Sequence, residues 1–299
     1  MKKALVTGAS GFIGRHLRRA LVDRNVEVHC TSRERRNDVG SAENWLEVDL
    51  CDRRAVAAAL AEVGPDVVFH LAGEVTGSRE RAAVWPTFRG NLIATLTLLD
   101  ALAEQGEIGV VVASSMEEPA LDDRASPGSP YAASKVAATA YARMFAQLYE
   151  TPAVLARIFL VYGPDESNAS HLIPSTIRSL LDGEAPAIGS GRRRIDWIYV
   201  DDVVAGLVAA AEATATHRGE SFDLGSGTQT SIRSTVEMLT DLVDPTIQPR
   251  FGALPDRPFD HERVADVART TATLGWEPVV GLEDGLARTV DWYRRHRER

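Results

Sequence analysis

The chain has little cysteine: among 299 residues only Cys30 and Cys51. Two thiols make no disulfide framework and no metal-ligand spacing, and they suit a reducing cytosol. An excess of basic charge is also missing. The 42 acidic residues outnumber the 33 lysines and arginines, for a formal net charge of -9. That balance argues against nucleic acid as the main partner, because phosphate-backbone binding needs a basic face. It still permits one small phosphorylated ligand in a local basic pocket. No apolar stretch approaches the roughly 18 residues that span a bilayer. The opening MKKALVTGASGFIGRHL has too short an apolar run, broken by glycines, Arg15 and His16, to read as a secretory signal. Fixed-period repeats and low-complexity linkers are absent too. What remains is an ordinary soluble composition, 44% hydrophobic and 25% charged. Its length suits one large α/β unit or a core domain plus a smaller lobe. The expected location is the cytoplasm, with neither membrane nor nucleic acid as partner.

The first half alternates short β-rich runs with amphipathic helices. Strands are predicted over 4–8, 26–32, 45–50, 66–73, 109–115 and 153–163. Helices are predicted over 12–24, 53–63, 86–105 and from Tyr131 onward. Strands apolar on both faces and joined by helices imply an α/β fold with a parallel, doubly wound sheet. After Gly163 the pattern loosens, punctuated by Pro164, Pro174 and Pro186. A further strand–helix unit follows over 197–213, and a last helix ends in WYRRHRER. The expected division is a core domain over 1–163, to which 197–213 returns, and a smaller lobe made mainly of 164–299. That lobe is expected to fold over the sheet's carboxyl edge, where open α/β sheets bind ligands.

Gly8-Ala9-Ser10-Gly11-Phe12-Ile13-Gly14 follows the first strand and opens the first helix. Glycines there permit a tight turn, close approach of the backbone to a pyrophosphate, and close helix–strand packing, with the helix N-terminus facing the anion. Further on, SPYAASK sets Tyr131 and Lys135 four residues apart, on one face of a helix that Pro130 starts. Hydride transfer to a carbonyl leaves an alkoxide that must be protonated. A tyrosine with an unperturbed pKa of about 10 is a poor acid/base at neutral pH. A lysine ammonium favours the phenolate and lowers that pKa. Ser114 and Ser115 end the fifth strand, where a hydroxyl can bond the substrate oxygen.

These motifs, with VDL at 48–50 and HLAG at 70–73, resemble the extended short-chain dehydrogenase/reductase family over nearly the whole chain. The resemblance implies a Rossmann-type dinucleotide-binding domain and a carboxyl-terminal substrate-binding lobe. It implies that Gly8, Ser10, Gly11, Phe12, Ile13 and Gly14 hold the cofactor, that Asp49 and Leu50 border the adenine, and that Leu71, Ala72 and Gly73 pass its phosphates and ribose. Ser115 matches the catalytic serine or threonine, with Tyr131 and Lys135 touching both substrate and cofactor. Ser114 is read as a buried serine satisfied by backbone, and Asn91 as a tie between helix and sheet. The second half is similar to enzymes of nucleoside-diphosphate sugars, in RIFLVYGP (157–164), HLIPSTIRSLLDGEAP (171–186), GSGRRRIDWIYVDDVVAG (189–206), LPDRP (254–258) and WEPVVGLEDGL (276–286). Glu74, Ser115, His171, Leu172, Arg192, Arg194 and Arg257 are then the expected substrate contacts, since guanidinium matches phosphate geometry. Asp196 and Trp197 are assigned to stabilising the lobe. The family also implies a homodimer through helices at 92–105 and 131–149.

Three departures limit the substrate. Leu160 and Ile195 stand where sugar-nucleotide enzymes of the family usually carry asparagine and arginine. Met116-Glu117 stands where its 4,6-dehydratases carry Asp-Glu. A thioether cannot donate the proton needed to expel water, so dehydration is not expected. Glu117 is read as a carboxylate of the acidic, solvated loop MEEPALDDRASPGS, with an acid/base role as the alternative.

The cofactor is decided after the second strand, in TSRERR (31–36). NAD-users place a carboxylate at the strand end to bond the ribose hydroxyls. Ser32 occupies that place and leaves room for a 2′-phosphate, which Arg33 and either Arg35 or Arg36 could bind. NADP(H) is preferred and NAD remains possible, with Glu34 as its ribose ligand. The pattern resembles nucleotide-sugar 4-ketoreductases of deoxysugar pathways, such as CDP-paratose synthase. The expected activity is reduction of a nucleoside-diphosphate-linked 4-keto-6-deoxyhexose by NADPH. The alternatives are a C4 epimerase with tightly bound NAD and, behind it, a non-catalytic dinucleotide sensor.

Overall fold

In a computed structural model of the chain, residues 1–34, 43–119, 126–166, 168–256 and 262–296 are described. They fall into two compact units. The first comprises Met1–Ile158, Val204–Asp223 and Arg269–Trp276, and the second Phe159–Val203, Leu224–Ala268 and Glu277–Arg299.

The first unit is built on six strands in chain order: β1 (Lys3–Thr7), β2 (Glu27–Ser32), β3 (Glu43–Glu47), β4 (Val67–His70), β5 (Gly109–Ser115) and β6 (Ala153–Ile158). A seventh, Ser221–Leu224, completes the sheet next to β6, giving the order Ser221–Leu224, β6, β5, β4, β1, β2, β3. β1 pairs in parallel with β2 and β4, as do β2 with β3, β4 with β5, and β5 with β6. The chain runs outward from β1 to β3, then crosses back to start β4 on β1's other side. That reversal opens a crevice beyond the carboxyl ends of β1 and β4.

Local chemistry sets the helices. α1 (Phe12–Asp23) starts at Gly11 without a side-chain cap. α2 (Arg53–Val63) is capped by Asp52, whose Oδ1 accepts from the N–H groups of Arg54 and Ala55, and it stops at Gly64 with φ 54°. The helix Pro130–Leu148 begins with Ser129 Oγ accepting the Ala132 N–H at 3.0 Å and with proline in its first turn. Leu60, Leu98, Leu99 and Leu102 from the helices close over Leu5, Val68, Val110, Val112 and Leu155 of the sheet. Each such side chain fully removed from water contributes about 1.5–3 kcal/mol.

Four predicted elements differ, one of them the strand expected over 66–73, which ends at His70. The run over 153–163 is two strands, β6 and Leu160–Tyr162, divided at Phe159. The second pairs with Arg194–Tyr199 in a separate three-stranded sheet with Gln229–Ser231. Apolar continuity hides this change of partner, because both strands are written mainly in apolar residues. The third strand occupies Glu43–Glu47 instead of 45–50. The helix expected over 86–105 extends back to Arg81, as a 3-10 turn, a short α-turn, a π-turn at Phe88–Ile93 and an α-helix at Ala94–Gln105.

In the second unit, helices Leu172–Leu181, Ile232–Val243 and Leu282–Arg295 supply Ile173, Ile177, Leu239, Leu286, Val290 and Tyr293 to one core with Tyr162, Trp197 and Tyr199. Asp196 is wholly buried there. Its carboxylate accepts the N–H and Oγ of Ser226 at 2.7 Å each, the Gly227 N–H at 3.1 Å and the Ala265 N–H at 2.9 Å. Trp197 Nε1 donates to Thr235 Oγ1 at 3.1 Å. Among the described residues no helix is long and apolar enough to cross a membrane.

Candidate active site

The chain leaves β1 at Gly8 with φ 68°. A Cβ there would lie 2.6 Å from the Ala72 nitrogen, and one at Gly14 would lie 2.2 Å from the Gly8 carbonyl oxygen. Neither position accepts a side chain without moving backbone. The Gly11 N–H donates to Gly8 O at 2.9 Å, and Ser10 O accepts from Arg15 Nη1 at 2.8 Å. Phe12 meets the edge of His16 at 5.5 Å, Ile13 is half-buried, and the first turn of α1 carries no acidic residue. Uncapped N–H groups at a helix's positive end, with no side chain across them, are what a pyrophosphate requires. The residues present therefore fit a dinucleotide.

Across the crevice, β4 ends in His70, whose ring is buried between two threonines. Thr95 Oγ1 gives its only proton to Asn91 O at 2.5 Å, so it accepts from His70 Nε2 at 3.0 Å. Nδ1 is then bare and accepts from Thr7 Oγ1 at 2.9 Å, and Thr7 Oγ1 in turn accepts the Ala72 N–H at 3.2 Å. Burial, and secondarily the Lys135 charge, press the imidazole down to about 3, so the ring is neutral. The relay fixes the turn at Leu71–Gly73. Asn91 fixes the next step: its Oδ1 accepts the Glu74 N–H at 2.7 Å, and its Nδ2 donates to Glu74 O at 3.1 Å and Ser134 Oγ at 2.8 Å. Asn91 lies in the π-turn, an irregularity that recurs at functional sites.

Tyr131 and Lys135 occupy the first turns of the helix Pro130–Leu148. Tyr131 lies near Ser115 at the end of β5, and the serine hydroxyl acts on its phenol. Lys135 Nζ donates to Ala113 O at 2.9 Å, lies 5.9 Å from the Tyr131 ring centre, and would be 3.7 Å from a Cβ on Gly73. Ser115, Tyr131, Lys135 and Gly73 thus converge at the carboxyl end of β5. Burial raises the Tyr131 phenol well above its ordinary value; the nearby Ser115 hydroxyl opposes this, while Glu117 and Glu118 add to it. The Ser115 hydroxyl offsets part of the burial, and the lysine ammonium donates to a main-chain carbonyl. Lys135 itself is brought down to about 8 by burial, with Glu118 opposing.

The remaining expected residues are more scattered. Ser32 ends β2, half-buried, its Oγ accepting the Glu34 N–H at 3.3 Å; Arg33 and Glu34 are exposed. Asp49 accepts the Cys51 N–H at 2.9 Å and pairs with Arg89 at 3.1 Å, and Leu50 is half-buried beside it. Glu74 is exposed. In the second unit, His171 Nδ1 lies 3.2 Å from Glu166 and its Nε2 2.9 Å from Asn168 Nδ2, at the start of the helix that Leu172 opens. Arg192 is exposed, and Arg194 donates through Nη2 to Gln229 O at 3.1 Å. Arg35, Arg36 and Arg257 lie outside the described residues.

Two residues differ from expectation. Ser114, read as satisfied by backbone, is buried with no hydrogen-bond partner for its Oγ among the described residues. Glu118, read as part of a solvated loop, is 3% exposed. Its Oε1 accepts the Ser115 N–H at 2.8 Å, and its own N–H donates to Ser115 O at 3.1 Å. Sequence reasoning also passed over Thr7 and His70, although both are polar residues inside apolar strands, a signal that asks for a partner.

The model of the NAD dependent epimerase/dehydratase family matches residues 4–225. The UDP-glucose 4-epimerase of Mycolicibacterium smegmatis is 33% identical over 315 aligned residues covering 98% of each chain. The dTDP-glucose 4,6-dehydratase of an Actinoplanes species is 30% identical over 99% of this chain and 98% of its own. The structure of Thermus thermophilus UDP-glucose 4-epimerase in complex with NAD superposes with a TM-score of 0.84 at 29% identity, covering 98% of this chain and 99% of that one. A Rossmann-type sheet with a glycine turn at its switch point makes this an enzyme of the extended short-chain dehydrogenase/reductase class. Within that class, the chain belongs to the NAD dependent epimerase/dehydratase family.

Proposed function

We propose that this enzyme is a ketoreductase that uses NADPH to reduce C4 of a nucleoside-diphosphate-linked 4-keto-6-deoxyhexose. The observation that carries the reading is the Tyr131 hydroxyl, placed near Ser115 and Lys135 and held toward its protonated form by burial. Reduction ends with an alkoxide that needs a proton, and Tyr131 waits in the acid form. The bound dinucleotide supplies the hydride. Tyr131 gives its proton to the sugar oxygen, Ser115 Oγ donates a hydrogen bond to that oxygen, and Lys135 holds the nicotinamide ribose and restores a positive charge near the phenol. Gly8, Ser10, Gly11, Phe12, Ile13 and Gly14 hold the pyrophosphate, Asp49 and Leu50 the adenine, and Leu71–Gly73 the adjacent ribose. His171, Leu172, Arg192, Arg194 and Arg257 are assigned to the sugar nucleotide, as is Glu74.

Ser32 supports NADP(H). A hydroxyl ends β2, where a carboxylate would repel a 2′-phosphate, and Arg33 follows it. Dehydration is disfavoured because Met116, 3% exposed, has no proton to exchange. A second reading, C4 epimerisation with tightly bound NAD, is favoured by the relatives, among them epimerases of UDP-glucose. A homodimer is proposed too, since Trp85, Phe88 and Tyr141 leave apolar surface exposed on helices of the first unit.

Cofactor identity tests the reading. The purified protein is denatured and assayed for released dinucleotide, then the emptied protein is titrated with NADPH and NADH by nicotinamide fluorescence. Clear NADPH preference with turnover of a 4-keto-6-deoxyhexose nucleotide is the expected result. Stoichiometric NAD carried through purification, with interconversion of UDP-glucose and UDP-galactose, would replace the reductase by the epimerase.

A further inference from the structure

Ser115 and Tyr131 reach the reacting centre on different elements, so their relative placement depends on what joins the end of β5 to the start of the helix Pro130–Leu148. A chain of hydrogen bonds does so through Glu117. The Glu117 N–H donates to Ser115 Oγ at 3.2 Å. That bond occupies a lone pair of the hydroxyl and leaves its proton to be given away. At the other end, Glu117 Oε2 accepts from Ser129 Oγ at 3.4 Å. Ser129 caps the helix. Its Oγ accepts the Ala132 N–H at 3.0 Å, and its single proton goes to Glu117. A helix with glutamate at its third position returns a carboxylate to its own cap residue. Here that position is Ala132, and the carboxylate comes from beyond β5 instead. The positive end of the helix favours it there.

We propose that Glu117 is a positioning residue: it ties the cap of the Tyr131 helix to the end of β5 and so sets Ser115 against Tyr131. The effect on turnover rests on the proposed roles of Ser115 and Tyr131; the tie itself does not. Other bonds anchor each segment. Glu118 Oε1 holds the Ser115 N–H at 2.8 Å, and Arg79 Nε holds Gly128 O at 3.1 Å. The Glu117 side chain crosses between the two segments. This role asks for an acceptor, which a carboxamide oxygen supplies and a methyl group does not. An acid/base role asks for the carboxyl group itself.

Glu117→Ala and Glu117→Gln separate the two roles. Turnover is followed on the sugar nucleotide that the wild type converts, by reduction or by epimerisation. Glu117→Ala should lower kcat about tenfold, the scale of a small misplacement of reacting groups, with KM within about threefold of wild type. Glu117→Gln should restore kcat to within about threefold. A Gln variant as slow as the Ala variant would overturn the proposal in favour of an acid/base carboxylate. Wild-type kcat in both would overturn it in favour of a solvated one. The tie is also read without substrate. In urea, Glu117→Ala should raise the unfolding equilibrium constant about threefold or more, the scale of one hydrogen bond, and by a factor much nearer to one when Ser129→Ala is already present. Equal factors in the two backgrounds would overturn the proposal. Failure of the reductase reading shows in the wild type itself, whereas failure of the tie shows only between variants, so the two are distinct.

Discussion

Thr7 Oγ1 donates to Nδ1 of His70 at 2.9 Å, joining the carboxyl ends of the two strands between which the sheet order reverses. The bond places a titratable ring, held neutral, under the turn that passes the cofactor site. The unfolded chain takes up a proton on this imidazole near 6.5. The folded chain resists until about 3. Protonation therefore favours unfolding: the stability held by the neutral ring is intact above about 6.5 and is lost as pH falls toward 3. His70→Gln, which can accept from Thr7 and donate to Thr95, removes that dependence. Urea denaturation between pH 6 and 4 should show a stability slope shallower than wild type by up to about 1.4 kcal/mol per pH unit. Parallel slopes would show that the ring titrates normally.

Tyr131→Phe deletes the proton donor and leaves the hydrophobic ring. Turnover should fall by about 10³-fold or more, the scale of a lost general acid, while NADPH binds with affinity within about threefold of wild type. Single-turnover kinetics and fluorescence titration check the two halves. Near-normal turnover would end the role assigned to Tyr131.

The ammonium of Lys135 is present below about pH 8 and lost above it. The kcat/KM profile should therefore decline on its alkaline side from that region. In Lys135→Arg the charge persists at all accessible pH. That variant should be slower by about 10²-fold, because guanidinium cannot repeat the bond to Ala113 O in the same space, but its alkaline decline should vanish. A decline in the same place would assign it to another group.

Much of this was legible in the sequence. The glycine turn, the Tyr131/Lys135 pair and the two serines ending β5 are local signals: each is fixed by residue type and spacing within one or two elements. The strand–helix alternation placed the parallel sheet for the same reason. What escaped depends on contacts between distant segments. Strand Ser221–Leu224 is short and follows a run of turns, so nothing local marks it as the sheet's last member. The break at Phe159 is a change of neighbour within one apolar run. Glu118 looked like one more acid in an acidic loop, because burial of a single carboxylate is decided by what folds over it. The His70 relay needs β1, β4 and the helix Ala94–Gln105 together.

Ser32→Asp tests the cofactor by adding the carboxylate that the end of β2 lacks. A carboxylate there repels a 2′-phosphate and accepts bonds from ribose hydroxyls, so NADPH affinity should fall and NADH affinity rise, by about tenfold each. An unaltered preference would mean that Glu34 or a residue beyond it reads the ribose.

Asp196→Asn probes the second unit without touching the residues assigned to chemistry. The carboxylate accepts from Ser226, Gly227 and Ala265 through both oxygens. An amide offers one oxygen, and its NH2 group turns donors toward donors whichever way it is oriented. With the NH2 group turned toward Ser226, its Oγ can accept from the amide and give its proton to Thr228 O, so the Ser226 N–H alone loses its acceptor, at about 1–3 kcal/mol. A loss of about 1–3 kcal/mol is expected in denaturant unfolding, with the folded fraction still binding NADPH, because every residue assigned to the dinucleotide pyrophosphate lies in the first unit. A stability change under about 1 kcal/mol would mean that the turns at Ser226 and Ala265 find other acceptors, and that the wholly buried charge is not what joins them.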